Sequence, residues 1–476
     1  MPDKLPLYML VAYMAVTIAV GMAYIRRQTC KQYFIASHSL STPLIIALLF
    51  SEIIAGAGTI GNAAEAFRSG YSSVWANWGM FLGCILFVFL AATFFRAMCI
   101  VKGVMSVPEA YGHIFDKRSR VVMLLNVVIV YFILYAMQPV AAAAIIGPIF
   151  NADITLVTWI MSAIFILMTL TGGMTSIAKM NVLHAVVMYV GLTVVSIKAL
   201  HYVGGIGVLQ QSLPPSYFTF TQPNIFVVIA QAVGTAIGFL ASANVVSTTF
   251  SAKSLATAKR GIFIAAVLIF PFALMPATIG ICAKVMMPDI QPNAALFFMA
   301  NELGSLFSGL VGMAIVAAIW STGPALLLII CTTITKDFYT VFVRPQATDG
   351  EQMMFTRIIV VVTGISATFF GMNAGSILNQ MLGAFQIRSV VGIVLVLALY
   401  YPRISKDGAF WSMLAGGIVA SFWHFAKNPW GVAPLWPAAA VTLFVLFVFN
   451  IFNKERESEG YRMWRDAAKE LKEKHL

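Results

Sequence analysis

The stretch STPLIIALLFSEIIAGAGTIGNAAEAF, from Ser41 to Phe67, decides how this chain is read. It is apolar and longer than the ~20 helical residues that cross a bilayer. Yet it holds two carboxylates, Glu52 and Glu65, and three glycines within six residues, Gly56, Gly58 and Gly61. Ionisable side chains inside a membrane span are costly and mark pathways or sites. Each glycine costs about 1 kcal/mol against alanine in a helix, so three this close predict an unwound stretch. Small-residue packing against a neighbouring helix competes as an explanation. The adjacent Glu52 favours the broken helix.

The rest of the chain has the same character. It is 476 residues long, 60% hydrophobic and 10% charged, with a mean hydropathy of +0.89. Soluble globular chains carry roughly 25% charged residues. This composition excludes a cytosolic enzyme, a secreted domain and a soluble nucleic-acid binder. Thirteen apolar runs are long enough to span: 5–24, 42–67, 73–95, 121–147, 154–172, 181–203, 224–248, 261–286, 303–334, 355–374, 376–401, 409–425 and 433–453. Backbone groups in lipid are satisfied within a helix, whereas a barrel shows alternating segments of about ten residues. The expected fold class is an all-α integral membrane protein with thirteen transmembrane helices. One transporter-sized domain covers 1–453, and 454–476 reads as a solvated polar tail, or else a short helix at the inner leaflet.

The net charge of +12 is a topological map. Of the 30 basic residues, 24 fall on one set of alternate loops and in the tail, among them Arg26, Arg27, Lys31, Arg96, Lys102, Lys253, Lys336 and Arg403. The positive-inside rule then places the N-terminus outside and the C-terminus in the cytoplasm of a plasma membrane, expected to be a bacterial inner membrane. No nucleic-acid partner is needed to explain the charge. The five cysteines form no CxxC pair, and the histidines form no i,i+4 metal pair, so neither a zinc site nor a disulfide framework is expected. No Ser-His pair or phosphate loop supports an enzyme.

A second span resembles the first in character. IFVVIAQAVGTAIGFLASANVVSTTF, Ile225 to Phe250, is interrupted by Gly234 and Gly238 and carries Gln231, Ser242 and Asn244. Two Gly-interrupted spans five helices apart, crossing in opposite senses, point to inverted repeats of five helices, spans 2–6 and 7–11, over a core of about residues 42–401. Further along, AIWST at Ala318–Thr322 sets two hydroxyls, Ser321 and Thr322, beside Pro324, which frees the carbonyl of Trp320. Hard oxygens suit a small hard cation. Ordinary hydroxyl bonding back to the helix serves equally well on these residues alone.

Together these motifs resemble the sodium:solute symporter family, over about residues 5–450. YFIASHSL (Tyr33–Leu40) is similar to the family's YFLAGRSL, SVPEA (Ser106–Ala110) to its T(I/L)PEY, and TGGM (Thr171–Met174) with Asn181 to GGL…WTD. Val246 to Gly261, ending SAKSLATAKRG, resembles RYLAAKSEKEARR, AIWST with TKDFY (Thr335–Tyr339) resembles AxMST…TRDIY, and Ala398–Arg403 through Gly408, Ala409 and Gly416 fits the Gly-Ala signature. The resemblance implies a leucine-transporter-like core and sodium-coupled import of a small polar organic solute by alternating access. It also implies a sodium site made by the carbonyls of Ser51, Ile54 and Ala318 and the hydroxyls of Ser321 and Thr322.

Departures from the family pattern narrow this. Members with a second sodium use Asp where this chain has Asn181, and hydroxyls at Pro324 and Ala325, so one sodium per solute is expected. Proline carriers have Asp where Ile53 stands. Candidate solute contacts are Glu52, Gly56, Gly58, Gln231, Gln380, Gln386 and Arg388. Glu52 is open to three roles: a charged solute contact, a proton-sensitive group, or the ion-pair partner of Arg388. Trp75, Asn77, Trp78 and Gln138 are further candidates to line the cavity. The partners expected are the solute, sodium and lipid, with no obligate protein partner. The rival reading is a transporter-like sensor or receptor acting through a partner protein, since only about 20 residues follow the last span and leave no room for a fused kinase.

Overall fold

The computed structural model describes residues 4–22, 29–150, 152–374, 377–451, 453 and 457–473. Arg26, Arg27, Lys454, Arg456 and Lys474 of the charge map lie outside them. Among the described residues every regular element is helical, and strand pairing is limited to an isolated bridge between Leu40 and Ala252. In chain order the α-helices are α1 (Leu5–Met22), α2 (Cys30–Ile35), α3 (Thr42–Gly56), α4 (Asn62–Ser69), α5 (Trp75–Leu90), α6 (Ala92–Lys102) and α7 (Val107–Ile114). Then come α8 (Lys117–Phe150), α9 (Ile154–Tyr202), α10 (Ile206–Ser212), α11 (Ile225–Leu240), α12 (Ala243–Ser251), α13 (Leu255–Phe272) and α14 (Leu274–Met286). The last are α15 (Ala295–Glu302), α16 (Ser305–Thr333), α17 (Asp349–Met372), α18 (Ile377–Tyr400), α19 (Lys406–Phe425), α20 (Leu435–Ile451) and α21 (Glu459–Glu473).

Among the described residues, eight apolar helical stretches are long enough to cross a membrane: Thr42–Leu90, Lys117–Gly147, Ile154–Tyr202, Ile225–Ser251, Leu255–Met286, Ser305–Val343, Asp349–Met372 and Gln380–Tyr400. Leu5–Gly21 and Leu435–Ile451 are shorter apolar helices. The count departs from thirteen partly because neighbouring runs merge. The run 42–67 continues into 73–95 through a tight helical turn at Gly70–Val74, and 154–172 joins 181–203 in α9. A straight helix as long as α9 would measure about 74 Å, more than twice the ~30 Å hydrocarbon core. Its one interruption is Gly173 at φ 56°, ψ −175°, a conformation that glycine alone adopts without strain.

Helix α16 runs through the middle of the bundle, buried from Ala314 to Leu328, and packs against α9, α8 and α3. Two of the predicted charged features move. Glu65 is a partly exposed residue of α4, 3.4 Å from Arg68 one turn on, and not a buried carboxylate. Among the described tail residues, one face of a helix is seated on the bundle while the charged face stays exposed. This helix, α21, is amphipathic and seats Ala467 and Leu471 against Ala97 and Ile100 of α6 and Leu255 of α13, because those apolar side chains recur on one helical face.

Candidate functional site

The broken span forms as the glycines predicted, but the break falls on an alanine. Ala55 has φ 48° and ψ −167°, the following Ala57–Gly61 turn is a wide π-type turn, and α4 resumes at Asn62. The glycines serve contact instead. A Cβ at Gly58 would stand 2.8 Å from Asn77 Oδ1, and Asn77 Nδ2 donates to the Gly58 carbonyl at 3.1 Å. Gly56 faces Ala141, Ile319 and Gln138.

Just before this break, oxygens from two helices converge. Ser321 Oγ donates to the Ser51 carbonyl at 3.0 Å and lies 2.8 Å from the Ala318 carbonyl. Thr322 Oγ1 lies 2.9 Å from the same Ala318 oxygen, 3.4 Å from Ser51 O and 3.3 Å from Glu52 O. The two hydroxyls are 3.4 Å apart. Ser51, Ala318, Ser321 and Thr322 are all buried. The Ile54 carbonyl is engaged otherwise, accepting the N–H of Ala57 across the break. In its place the Glu52 carbonyl stands 3.3 Å from the Thr322 hydroxyl, a backbone oxygen that side-chain chemistry does not flag. Such a set is a shell of hard, buried oxygens of the type that binds a small hard cation.

The second broken span places charge beside this set. Helices α11 and α12 part at Ala241–Ser242, not at Gly234 or Gly238. Here too the glycines make contact. The positions a Cβ would take at Gly238 and Gly392 lie 3.1 Å from Phe385 O and 2.2 Å from Ile237 O, so α11 and α18 approach backbone to backbone. That approach sets Arg388 over the rings of Phe239 and Phe385, 4.5 and 5.2 Å from their centroids, a cation–π arrangement. Arg388 Nη1 donates to Ser242 Oγ at 3.0 Å, and Ser242 Oγ is 3.2 Å from Tyr131 Oη. Tyr131 Oη accepts the backbone N–H of Asn244 at 3.1 Å, and Asn244 Nδ2 donates to Glu52 Oε2 at 3.3 Å. A chain of hydrogen bonds through the α11–α12 break thus links Arg388 to Glu52. The two form no direct ion pair.

The seven solute candidates therefore separate. Glu52 and Arg388 line one small cavity with Ala55, Phe239, Asn244 and Thr322, about 20 Å³ in volume. Glu52 and Asn244 also form the wall of a second cavity, about 30 Å³, that runs past Ser247 and Ser106 to Thr333. Gln231, Gln380 and Gln386 line a different, larger cavity of about 620 Å³ between α11, α18 and the α19–α20 connection, where Gln380 Oε1 is 3.0 Å from His424 Nε2. Gly56 and Gly58 are packing positions. Trp75 and Trp78 donate to the carbonyls of Phe220 and Phe270, where Trp78 stacks between the two phenyl rings and Trp75 meets it edge-on. Gln138 is buried with Nε2 on Leu134 O. Tyr131 escaped the sequence reading. Its signal was a hydroxyl-bearing ring in an otherwise apolar run.

Residues 33–416 match the sodium:solute symporter family, which is most of the chain. The chain belongs to the sodium:solute symporter family. The symporter is 22% identical to the osmoregulated proline transporter of Bacillus subtilis (strain 168), over 97% of this chain and 98% of that protein. It is 23% identical to the sodium/proline symporter of Staphylococcus aureus (strain JH9), over 94% and 92% of the two chains. Among solved structures it is similar to a Na⁺-coupled sialic acid symporter in a substrate-bound outward-open state, with a TM-score of 0.81, 17% identity and coverage of 95% and 99%. A nucleobase-cation-symport-1 family transporter aligns with a TM-score of 0.59 at 18% identity, covering 92% and 100%. The fold is that of the leucine-transporter-like carriers, and the protein is a Na⁺-coupled solute symporter.

Proposed function

We propose that the symporter imports a small polar organic solute by alternating access, with one Na⁺ per solute held by the carbonyls of Ser51 and Ala318 and the hydroxyls of Ser321 and Thr322. The observation that carries this is the convergence of those four oxygens from α3 and α16 where α3 unwinds. The Ile54 carbonyl is the fifth ligand once the Ala57 N–H gives it up. An ion there ties α3 to α16, so its arrival and departure bias the one against the other. This is differential binding of two conformations, the physical requirement for coupling.

The basic-residue map supports thirteen crossings within 1–453, an external N-terminus and a cytoplasmic C-terminal segment over 454–476. Asn181, Pro324 and Ala325 stand where a second sodium would need a carboxylate and hydroxyls, which supports a single ion. Relatives are named for solutes as different as proline and sialic acid, so membership leaves the solute open. Transport is expected to need no obligate protein partner. Purified protein in proteoliposomes with an imposed Na⁺ gradient tests the reading. Accumulation driven by Na⁺ and abolished in Ser321→Ala/Thr322→Ala supports it. Uptake indifferent to Na⁺ overturns it.

A further inference from the structure

Glu52 and Arg388 present an unusual pair of facts. Both are nearly fully buried, at 4% and 2% exposure, and both line the same cavity. Neither neutralises the other. Each is tethered on one side, Glu52 through Oε2 to Asn244 and Arg388 through Nη1 to Ser242, with the Tyr131 hydroxyl beside it. The remaining polar atoms, Glu52 Oε1 and Arg388 Nε and Nη2, have no hydrogen-bond partner. Burying a charge without a partner is strongly unfavourable, and a buried ion is ordinarily retained only when paired and fully hydrogen-bonded. An acidic and a basic side chain on one cavity, each held back from the other by its own polar tether, leave vacant places for a third body carrying both complements.

The chemistry of the vacancies specifies that body. Nε and Nη2 are the side-on edge of a guanidinium, whose two parallel N–H groups match a carboxylate bidentately. The tether on Nη1 and the two phenyl rings hold this edge in a fixed plane. Glu52 Oε1 is unpartnered, and as a carboxylate oxygen it accepts an N–H donor, most strongly one bearing positive charge. Of the other walls, Ile53, Leu134, Leu326 and Met381 are apolar, and the polar ones, Asn244 and Thr322, are already engaged with Glu52 and with the Ala318 carbonyl. A cavity of about 20 Å³ holds one water in this conformation, so a solute enters by displacing its walls, and a compact one displaces least.

We propose that the transported solute is a compact zwitterion, an amino acid with an N–H-bearing ammonium group, whose carboxylate is bound by Arg388 and whose ammonium is bound by Glu52. This rests on the symporter reading above and on this cavity being the solute's place. It makes Glu52 and Arg388 specificity-determining residues, and it makes Ser242 and Asn244 the positioning residues that keep them apart.

The test uses the purified full-length protein, with glycine, β-alanine, L-alanine and L-proline as zwitterionic probes. Propionate and ethylamine supply one charge each, and glycerol supplies none. Thermal stability and gradient-driven uptake are read in NaCl and in choline chloride. The expected result is Na⁺-dependent stabilisation and uptake of at least one zwitterion, with propionate, ethylamine and glycerol at least tenfold weaker. Glu52→Gln, which keeps the backbone carbonyl near Thr322, and Arg388→Lys each weaken the zwitterion at least tenfold while the stabilisation by Na⁺ alone persists, which shows that the variants are folded. Equal or better recognition of a singly charged or neutral probe overturns the proposal. So does silence of every zwitterion in a protein that still responds to Na⁺, and so does an unchanged zwitterion affinity in Glu52→Gln. All three leave the symporter reading standing. Absence of any Na⁺ response in the wild type overturns that reading as well.

Discussion

Asn244 donates its side-chain N–H to Glu52 across 3.3 Å, and this contact joins the second broken helix to the first. Its backbone N–H is held in turn by Tyr131, which fixes the start of the second half-helix from which the amide reaches Glu52. An amide here supplies a donor to the carboxylate without supplying charge, which leaves Glu52 Oε1 open. Removing it with Asn244→Ala strands a buried acceptor at a cost of about 1–3 kcal/mol. Because the two residues touch, the loss should not add to that of Glu52→Gln, and a double-mutant cycle on thermal unfolding should show a coupling of ~0.5–3 kcal/mol. Strict additivity would mean the contact carries no energy.

Ser321 and Thr322 compete for the same Ala318 and Ser51 oxygens in this conformation. A cation would replace those internal hydrogen bonds with coordination. Thr322→Ser keeps the oxygen and should leave the Na⁺ dependence of uptake near that of wild type. Thr322→Ala and Ser321→Ala each remove a ligand and should raise the half-saturating Na⁺ concentration about tenfold, equivalent to ~1.4 kcal/mol. Uptake measured against Na⁺ concentration at fixed solute checks this. If both alanine variants titrate like wild type, the hydroxyls are ordinary helix-bonding groups.

Much of this was legible before any coordinates. Glycine crowding in Ser41–Phe67 announced an unwound helix, and the Ser321–Thr322 pair announced an oxygen cluster. The exact residue at the break was not legible, because glycine is required both by strained backbone and by close contact, and only neighbours distinguish the two. Gly58 is spent on Asn77, and Gly238 on α18. The pairing of Arg388 was equally hidden. A helix reports the spacing of its polar residues but not its rotation about its own axis, and that rotation aims Arg388 at Ser242 while Glu52 meets Asn244. The same ambiguity grouped Gln231, Gln380 and Gln386 with Glu52, although they face another cavity.

Ala55 adopts a backbone conformation that is otherwise nearly reserved for glycine, at φ 48° and ψ −167°. Such strain costs about 1–3 kcal/mol. Ala55→Gly should relieve part of it and raise thermal stability by about 1 kcal/mol. Ala55→Val crowds the strained backbone further and should lower stability. Unfolding temperatures in detergent for the three proteins should fall in the order Gly, Ala, Val. A destabilised Ala55→Gly would show that the Ala55 methyl, which is buried, contributes more by packing than the backbone loses by strain.

Asp116 precedes the first turn of α8 and accepts the backbone N–H of Ser119 at 2.8 Å and Arg118 Nε at 2.9 Å. Partial burial pushes its pKa up, but the Ser119 backbone bond, together with the Arg118 and Ser119 side chains, outweighs this and holds the carboxyl below its ordinary value. The sign follows. A folded-state pKa below the unfolded one gives stability that is fully present above the unfolded value of about 3.9 and is lost as pH falls through the folded value. Asp116→Ala, which removes the cap, should therefore cost ~1 kcal/mol at pH 7. The gap between variant and wild type should hold constant from neutral pH down to about pH 5 and narrow progressively below ~4. Thermal unfolding of both proteins across this range checks the direction. A gap that widens on acidification would mean that the protonated carboxyl is the stabilising form.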